Sequence, residues 1–177
     1  MIELLDIAVL SMMVVSAVAV LWLRNLFAVV MLSGAYSLLA ATLYVLLDAV
    51  DVAFTEAAVG AGIATVLMLG TLTMVPRQEK ETRRGSLGGL LVVAATGALL
   101  VYGTLDMPEF GDPDAPIHRH VVPRYMQDSP AEVGLPNVVT SVLASYRGYD
   151  TLGETTVIFT AAIGVMALLG WGRRRKP

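Results

Sequence analysis

Glu56 lies inside Val52–Val75, a run of 24 residues that otherwise has the length and composition of a membrane-spanning helix. An acidic side chain at the centre of such a helix costs roughly 2.5–3.5 kcal/mol on insertion scales, so intramembrane acids face protein or water and tend to mark ion pathways. Asp51 stands just before this run. Asp150 and Glu154, four residues apart, stand before the last apolar run and share a face if that helix begins early, with Arg147 placed as their counter-ion. The chemistry open to these groups is exchange of protons or hydrated cations. A carboxyl taken out of water favours its neutral form, which moves proton exchange toward neutral pH.

Each acid also has a structural alternative. Asp48 can serve as N-cap of the helix that follows it, with Asp51 in the first turn, where carboxylates complement the helix dipole. Glu56 is deeper than capping reaches, so it is either a relay or a packed, hydrogen-bonded structural acid. Gly60 falls one turn further on the same face, and Ala57, Ala58, Ala61, Gly62 and Ala64 keep the stretch small, which lets a neighbouring helix approach closely. Gly60-Ala61-Gly62 can also accommodate a local distortion of the helix. Thr151-Leu152-Gly153-Glu154 fits the capping-box spacing, a structural role for Glu154. Ser33, Ser37, Ala40 and Tyr44, with Tyr36 nearby, form a small, partly polar stripe suited to helix contact or to lining a hydrated path. His118-Arg119-His120 has no third ligand nearby and reads as solvated loop, so no metal site is assigned.

The elements that must position these groups are membrane helices. Hydrophobic residues make up 56% of the chain, charged residues 15%, and mean hydropathy is +0.70, against about 25% charged in a soluble domain. The expected fold is an all-α integral membrane protein with about five transmembrane helices, at about 4–23, 26–47, 52–75, 87–105 and 154–171. Residues 1–85 form a three-helix module carrying Glu56, and 86–177 a two-helix module with a long extracytoplasmic segment at 106–150. Six prolines (Pro108, Pro113, Pro116, Pro123, Pro130 and Pro136) argue against a long helix through that segment, which is expected to lie extended over a partner or over the outer face of the bundle.

Charge orients the helices. Arg24, the Arg77–Arg84 loop and the tail Arg173-Arg174-Arg175-Lys176 hold nine of the 12 basic residues and fall on one side of a five-span path. The positive-inside rule makes that side cytoplasmic, with the N-terminus outside and the C-terminus inside. The acidic start Met1–Asp6 lacks the features of a cleaved signal, so the first segment is expected to be retained.

Several classes of function are excluded or disfavoured. Without cysteine there is no disulfide framework and no thiolate metal or iron–sulfur site, so any redox cofactor lies elsewhere. No nucleophile–base arrangement, phosphate-binding glycine loop or nucleic-acid surface is present, and the chain is read as a transport component rather than an enzyme, with no cofactor of its own. No span carries a central basic residue, so a charged partner for Glu56 either comes from another subunit or is absent. Five short spans also lack the inverted repeats and paired broken helices of self-contained carriers.

Two stretches resemble a known family. Asp51-Val52-Ala53-Phe54-Thr55-Glu56-Ala57-Ala58-Val59-Gly60-Ala61-Gly62 resembles the PDVALTEAAVGAG signature of a small domain in Mrp-type multisubunit cation/proton antiporters and energy-converting membrane-bound hydrogenases. Pro136-Asn137-Val138-Val139-Thr140 followed by Tyr146-Arg147-Gly148-Tyr149-Asp150-Thr151-Leu152-Gly153-Glu154 resembles the NVVT…YRxxDTLGE signature of a companion segment. Val50 stands where the first signature has proline. Spans one to three are also similar, more loosely, to a membrane-arm component of complex I. The resemblance implies a small accessory component, of the B type in Mrp systems, that completes hydrophilic paths between larger antiporter-like subunits. Here the two modules are joined as one polypeptide, and the resemblance implies the inner (plasma) membrane as its location. It further implies Glu56, Asp51, Glu154 and Asp150 on a path for H+ and Na+ or another monovalent cation, and other membrane subunits and the lipid bilayer as partners. A redox-driven, complex I-like pump and a purely structural spacer are the alternatives.

Overall fold

The computed structural model describes residues 2–80 and 86–173. The 85/86 boundary and parts of the basic loop and basic tail lie outside the described residues. The chain divides into two compact units, Met1–Ser86 and Leu87–Pro177.

The first unit holds three long apolar helices, α1 (Ile2–Trp22), α2 (Leu26–Leu46) and α3 (Val50–Leu72). At 1.5 Å per residue each rises about 30 Å, enough to cross the hydrocarbon layer. Helix α2 is the middle one, packing against α1 on one side and along all of α3 on the other. Its buried positions are Val30, Gly34, Ala40 and Ala41, and α3 contributes the buried Ala53. Small side chains on both helices bring the two backbones close. Helix α1 turns one stripe inward, with Asp6, Val9, Met13 and Ser16 among its less exposed positions.

The turns at each end are tied down by backbone chemistry. Asn25 is extended and its Oδ1 accepts from the amides of Phe27 (3.0 Å) and Ala28 (3.2 Å), an N-cap that starts α2. Beside it, the Leu26 amide donates to the Arg77 carbonyl and the Glu79 amide to the Arg24 carbonyl, both at 2.8 Å. The α1–α2 turn and the residues after α3 are therefore held at one end of the unit. At the other end the Asp48 amide donates to Val45 O (3.1 Å) and the Ala49 amide to Tyr44 O (2.8 Å), the paired bonds of a Schellman motif. That motif needs a left-handed residue, and Asp48 supplies it at φ +59°. This corrects the expectation that Asp48 caps α3: its backbone closes α2 instead, Ala49 holds the N-cap position, and Asp51 remains in the first turn of α3.

In the second unit, α4 (Leu87–Gly103) has 17 residues and is shorter than the other apolar helices. At about 26 Å it is at the lower limit for a span. Among the described residues four helices reach spanning length, and α4 is a fifth, shorter apolar one. The segment after α4 is not extended as expected. It folds into α5 (Pro116–Arg119), α6 (Val122–Gln127), α7 (Ser129–Glu132) and α8 (Val138–Ser141), the last running into a π turn, Val142–Tyr146. Pro116, Pro123 and Pro130 each fall in the first turn of a short helix, where a missing amide costs nothing and the fixed φ helps. The prolines limit helix length and begin new helices rather than keeping the chain extended. Helix α9 (Gly148–Arg173) follows directly.

Candidate functional site

In α3 the hydrogen-bond register changes at the residue of interest. Val50–Thr55 is α-helical, Glu56–Ile63 is π-helical, and Ala64–Leu72 returns to the α form. The Ala64 amide bonds the carbonyl five residues back, at Val59. The distortion anticipated at Gly60-Ala61-Gly62 is thus present and begins at Glu56 itself. Such widened turns are uncommon and recur at functional positions.

Glu56 is half-buried, and its carboxyl lies over Gly60. A Cβ at Gly60 would run into Glu56 Oε1 and stand 2.7 Å from Ser37 Oγ of α2. Glycine at 60 therefore makes the space in which the carboxyl and the Ser37 hydroxyl sit side by side. Gly62 is different, since a Cβ there would meet only Ala57 O at an ordinary 3.6 Å. Asp51 is exposed, one and a half turns nearer the end of α3.

A second polar point on the same seam was not foreseen. A Cβ at Gly34 of α2 would stand 2.8 Å from Thr65 Oγ1 and 3.8 Å from Ala61 O. Thr42, Thr55, Thr71 and Thr73 return their hydroxyls to carbonyls three or four residues back. Thr65 does not, and its Oγ1 is enclosed without a hydrogen-bond partner. The carbonyl it would use belongs to Ala61, inside the π stretch. Asp6 Oδ1 on α1 is likewise enclosed without a partner.

In the second unit Asn137 caps α8, its Oδ1 accepting from the Thr140 amide at 2.9 Å. Arg147 pairs with Asp150, as the spacing suggested. The capping box at Thr151–Glu154 does not form, because α9 starts at Gly148 and Thr151 is already inside it; its hydroxyl donates to Leu143 O at 2.8 Å. Asp150 and Glu154 consequently lie one helical turn apart, both exposed. Sequence reasoning missed a cluster joining α6, α7 and the π turn: Arg124, Glu132 and Tyr146, with the Tyr125 ring packed at a tilt of 36° against Tyr146, 4.8 Å between ring centroids. The Tyr146 hydrogen bond, followed by Arg124, holds the Glu132 carboxyl below the usual carboxylate range, and the same bond raises the Tyr146 phenol. His118 and His120 are exposed, and Arg119 between them pairs with Asp114.

These helices define an all-α, multi-pass membrane protein. Residues 11–77 match the family model MbhD, the D-type subunit of MBH, and residues 89–177 match MbhE, the E-type subunit of MBH. The chain belongs to this family of small membrane components, of the Mrp antiporter type. It is 25% identical over 174 residues to a putative antiporter subunit mnhA2 of Staphylococcus saprophyticus, covering 97% of this chain and 21% of that protein. It is 30% identical over 159 residues to the A/B subunit of a probable K(+)/H(+) antiporter of Rhizobium meliloti, covering 82% and 15%. To the A1 subunit of a Na(+)/H(+) antiporter of Staphylococcus haemolyticus it is 27% identical over 179 residues, covering 99% and 21%. The chain thus spans between 15% and 21% of the length of these curated relatives.

Proposed function

We propose that this chain is an accessory membrane component of a multisubunit cation/proton antiporter, residing in the inner (plasma) membrane with its N-terminus outside, and that Glu56 lies on the path taken by protons or a monovalent cation. The observation that carries this reading is the seam between α2 and α3, where Glu56 opens a π-helical stretch and its carboxyl rests beside Ser37 across the gap left by Gly60. A carboxyl kept in an apolar helix at appreciable cost, in a locally reshaped backbone, suits a group that exchanges an ion. The relatives' names supply the cation classes, Na(+) or K(+) against H(+). The side chains of α4 and those described in α9 are exposed along almost their whole length, which supports cover by lipid and by other membrane subunits. In this reading Asp51 stands at the outer mouth of the path, and Asp150 and Glu154 serve a path of their own module.

The test is antiport by the assembled complex carrying Glu56→Ala or Glu56→Gln. Both changes should abolish cation-driven proton movement while leaving assembly intact. Wild-type activity across pH with both would leave a spacer role. The description of the matching families as MBH subunits favours a second reading, a redox-driven complex I-like pump or hydrogenase. Neighbouring genes for redox subunits with cysteine clusters would select it.

A further inference from the structure

Where the α1–α2 turn meets the residues that follow α3, a pocket of 150 Å3 opens between α2 and α3, lined by Phe27, Leu69, Leu72, Thr73 and Arg77. The Thr73 hydroxyl is already committed to Gly70 O at 2.7 Å, which leaves the Arg77 guanidinium as the polar group a ligand would meet. Arg77 is exposed, and among the described residues its side chain has no ion pair. Its backbone is fixed, because the Arg77 carbonyl accepts from the Leu26 amide and the Glu79 amide donates to the Arg24 carbonyl, both at 2.8 Å. A cation is thus held at the rim of an apolar slot.

That combination at the end of a membrane helix suits a phospholipid, whose acyl chain lies against the apolar wall while its phosphate meets the guanidinium. Charge favours an anionic headgroup. Arg77, Lys80, Arg83 and Arg84 stand against only Glu79 and Glu81 in the connection after α3, and basic residues bordering a membrane helix attract anionic lipid. One turn of a partner helix, a cylinder about 10 Å across, takes up roughly 400 Å3, well beyond this space.

We propose that this slot binds an anionic phospholipid, with an acyl chain against Phe27, Leu69 and Leu72 and the phosphate on Arg77. Leu69 is thirteen residues past Glu56 on α3, so the site is separate from the acid and does not rest on the ion-path reading. In the proposed orientation it faces the cytoplasmic leaflet.

The experiment uses the assembled complex in phosphatidylcholine vesicles with a trace of phosphatidylglycerol carrying a photoactivatable acyl chain or, in parallel, of phosphatidylcholine carrying the same chain. After irradiation, lipid attached to Phe27 and to residues 69–77 of this chain is measured by mass spectrometry. The phosphatidylglycerol probe should mark these residues several-fold more than the phosphatidylcholine probe. Arg77→Gln should cut that mark about fivefold, the weight of one basic residue at an anionic surface. Excess inorganic phosphate should leave it unchanged. Equal marking by the two probes, or an unchanged mark in Arg77→Gln, overturns the proposal. Displacement by inorganic phosphate does so too, since the site would then take a soluble anion. No mark at all also overturns it, because another protein would then cover the slot. Should Arg77→Gln fail to assemble, the comparison of the two probes on the unaltered complex decides.

Discussion

Tyr146 donates its phenolic hydrogen to the carboxylate of Glu132, fourteen residues earlier in the chain. Arg124 Nη2 grips the same carboxylate at 3.1 and 3.2 Å, and its guanidinium lies 5.4 Å from the Tyr146 ring centre. These contacts fasten α6 and α7 to the π turn that leads into α9. Tyr146 is the last residue of that turn, two residues before α9 begins at Gly148, and Asp150 and Glu154 follow in its first turns.

The fastening depends on pH at both ends of the scale. Glu132 is held below its ordinary 4.5, so the unfastened segment takes up protons first, and the stabilisation is complete above about 4.5 and lost as pH falls through the lowered value. Tyr146 is raised above 10.0, so its contribution is complete below 10 and lost as pH climbs through the raised value. Hydrogen exchange of residues 122–147 should show a plateau of protection between these limits. Tyr146→Phe should lower the plateau and weaken its acid edge.

Gly60→Ala and Gly62→Ala should separate cleanly. Alanine normally favours a helix over glycine by about 1 kcal/mol, so Gly62→Ala, which meets only ordinary contacts, should leave antiport unchanged and stability equal or slightly better. Gly60→Ala must displace the Glu56 carboxyl and Ser37, and antiport should drop toward that of Glu56→Gln.

Asp48 carries a left-handed backbone that costs a non-glycine residue roughly 1–2 kcal/mol. Asp48→Gly should raise the midpoint of thermal unfolding of the purified complex, and Asp48→Val should lower it.

Asn137→Ala should remove the cap of α8 at a cost of about 1 kcal/mol, read as faster amide exchange at Val138–Ser141. Asn137→Asp or Asn137→Ser should retain most of the protection.

Orientation can be checked directly because the chain lacks cysteine. A Gln78→Cys chain should react with an impermeant maleimide only in inverted vesicles, and a Met126→Cys chain only in right-side-out ones.

Long apolar runs made the helices legible, because spanning a bilayer demands length and composition that few other structures share. Glu56 and its small neighbours were legible for the same reason: a carboxylate and two glycines contrast with their surroundings. Three things were not. Asp48 reads as a capping residue, yet the same side chain tolerates left-handed φ, and only the three-dimensional turn decides between them. Thr151 and Glu154 match a capping box, but the helix begins three residues earlier, at Gly148, and the Thr151 hydroxyl goes to Leu143 O instead. Gly34 and Thr65 carry no local signal, since their meaning arises only when two helices are laid together. A hint for Tyr146 was present in its place within the YRGYDTLGE run, without anything to name Glu132 as its partner.

Leu47, Asp48 and Ala49 are all that separate α2 from α3, and two backbone hydrogen bonds close the turn. A connection that short leaves little slack, so the two helices form a hairpin in which the Glu56 carboxyl of one arm lies beside the Ser37 hydroxyl of the other, and the bilayer meets these two polar groups as a pair rather than singly.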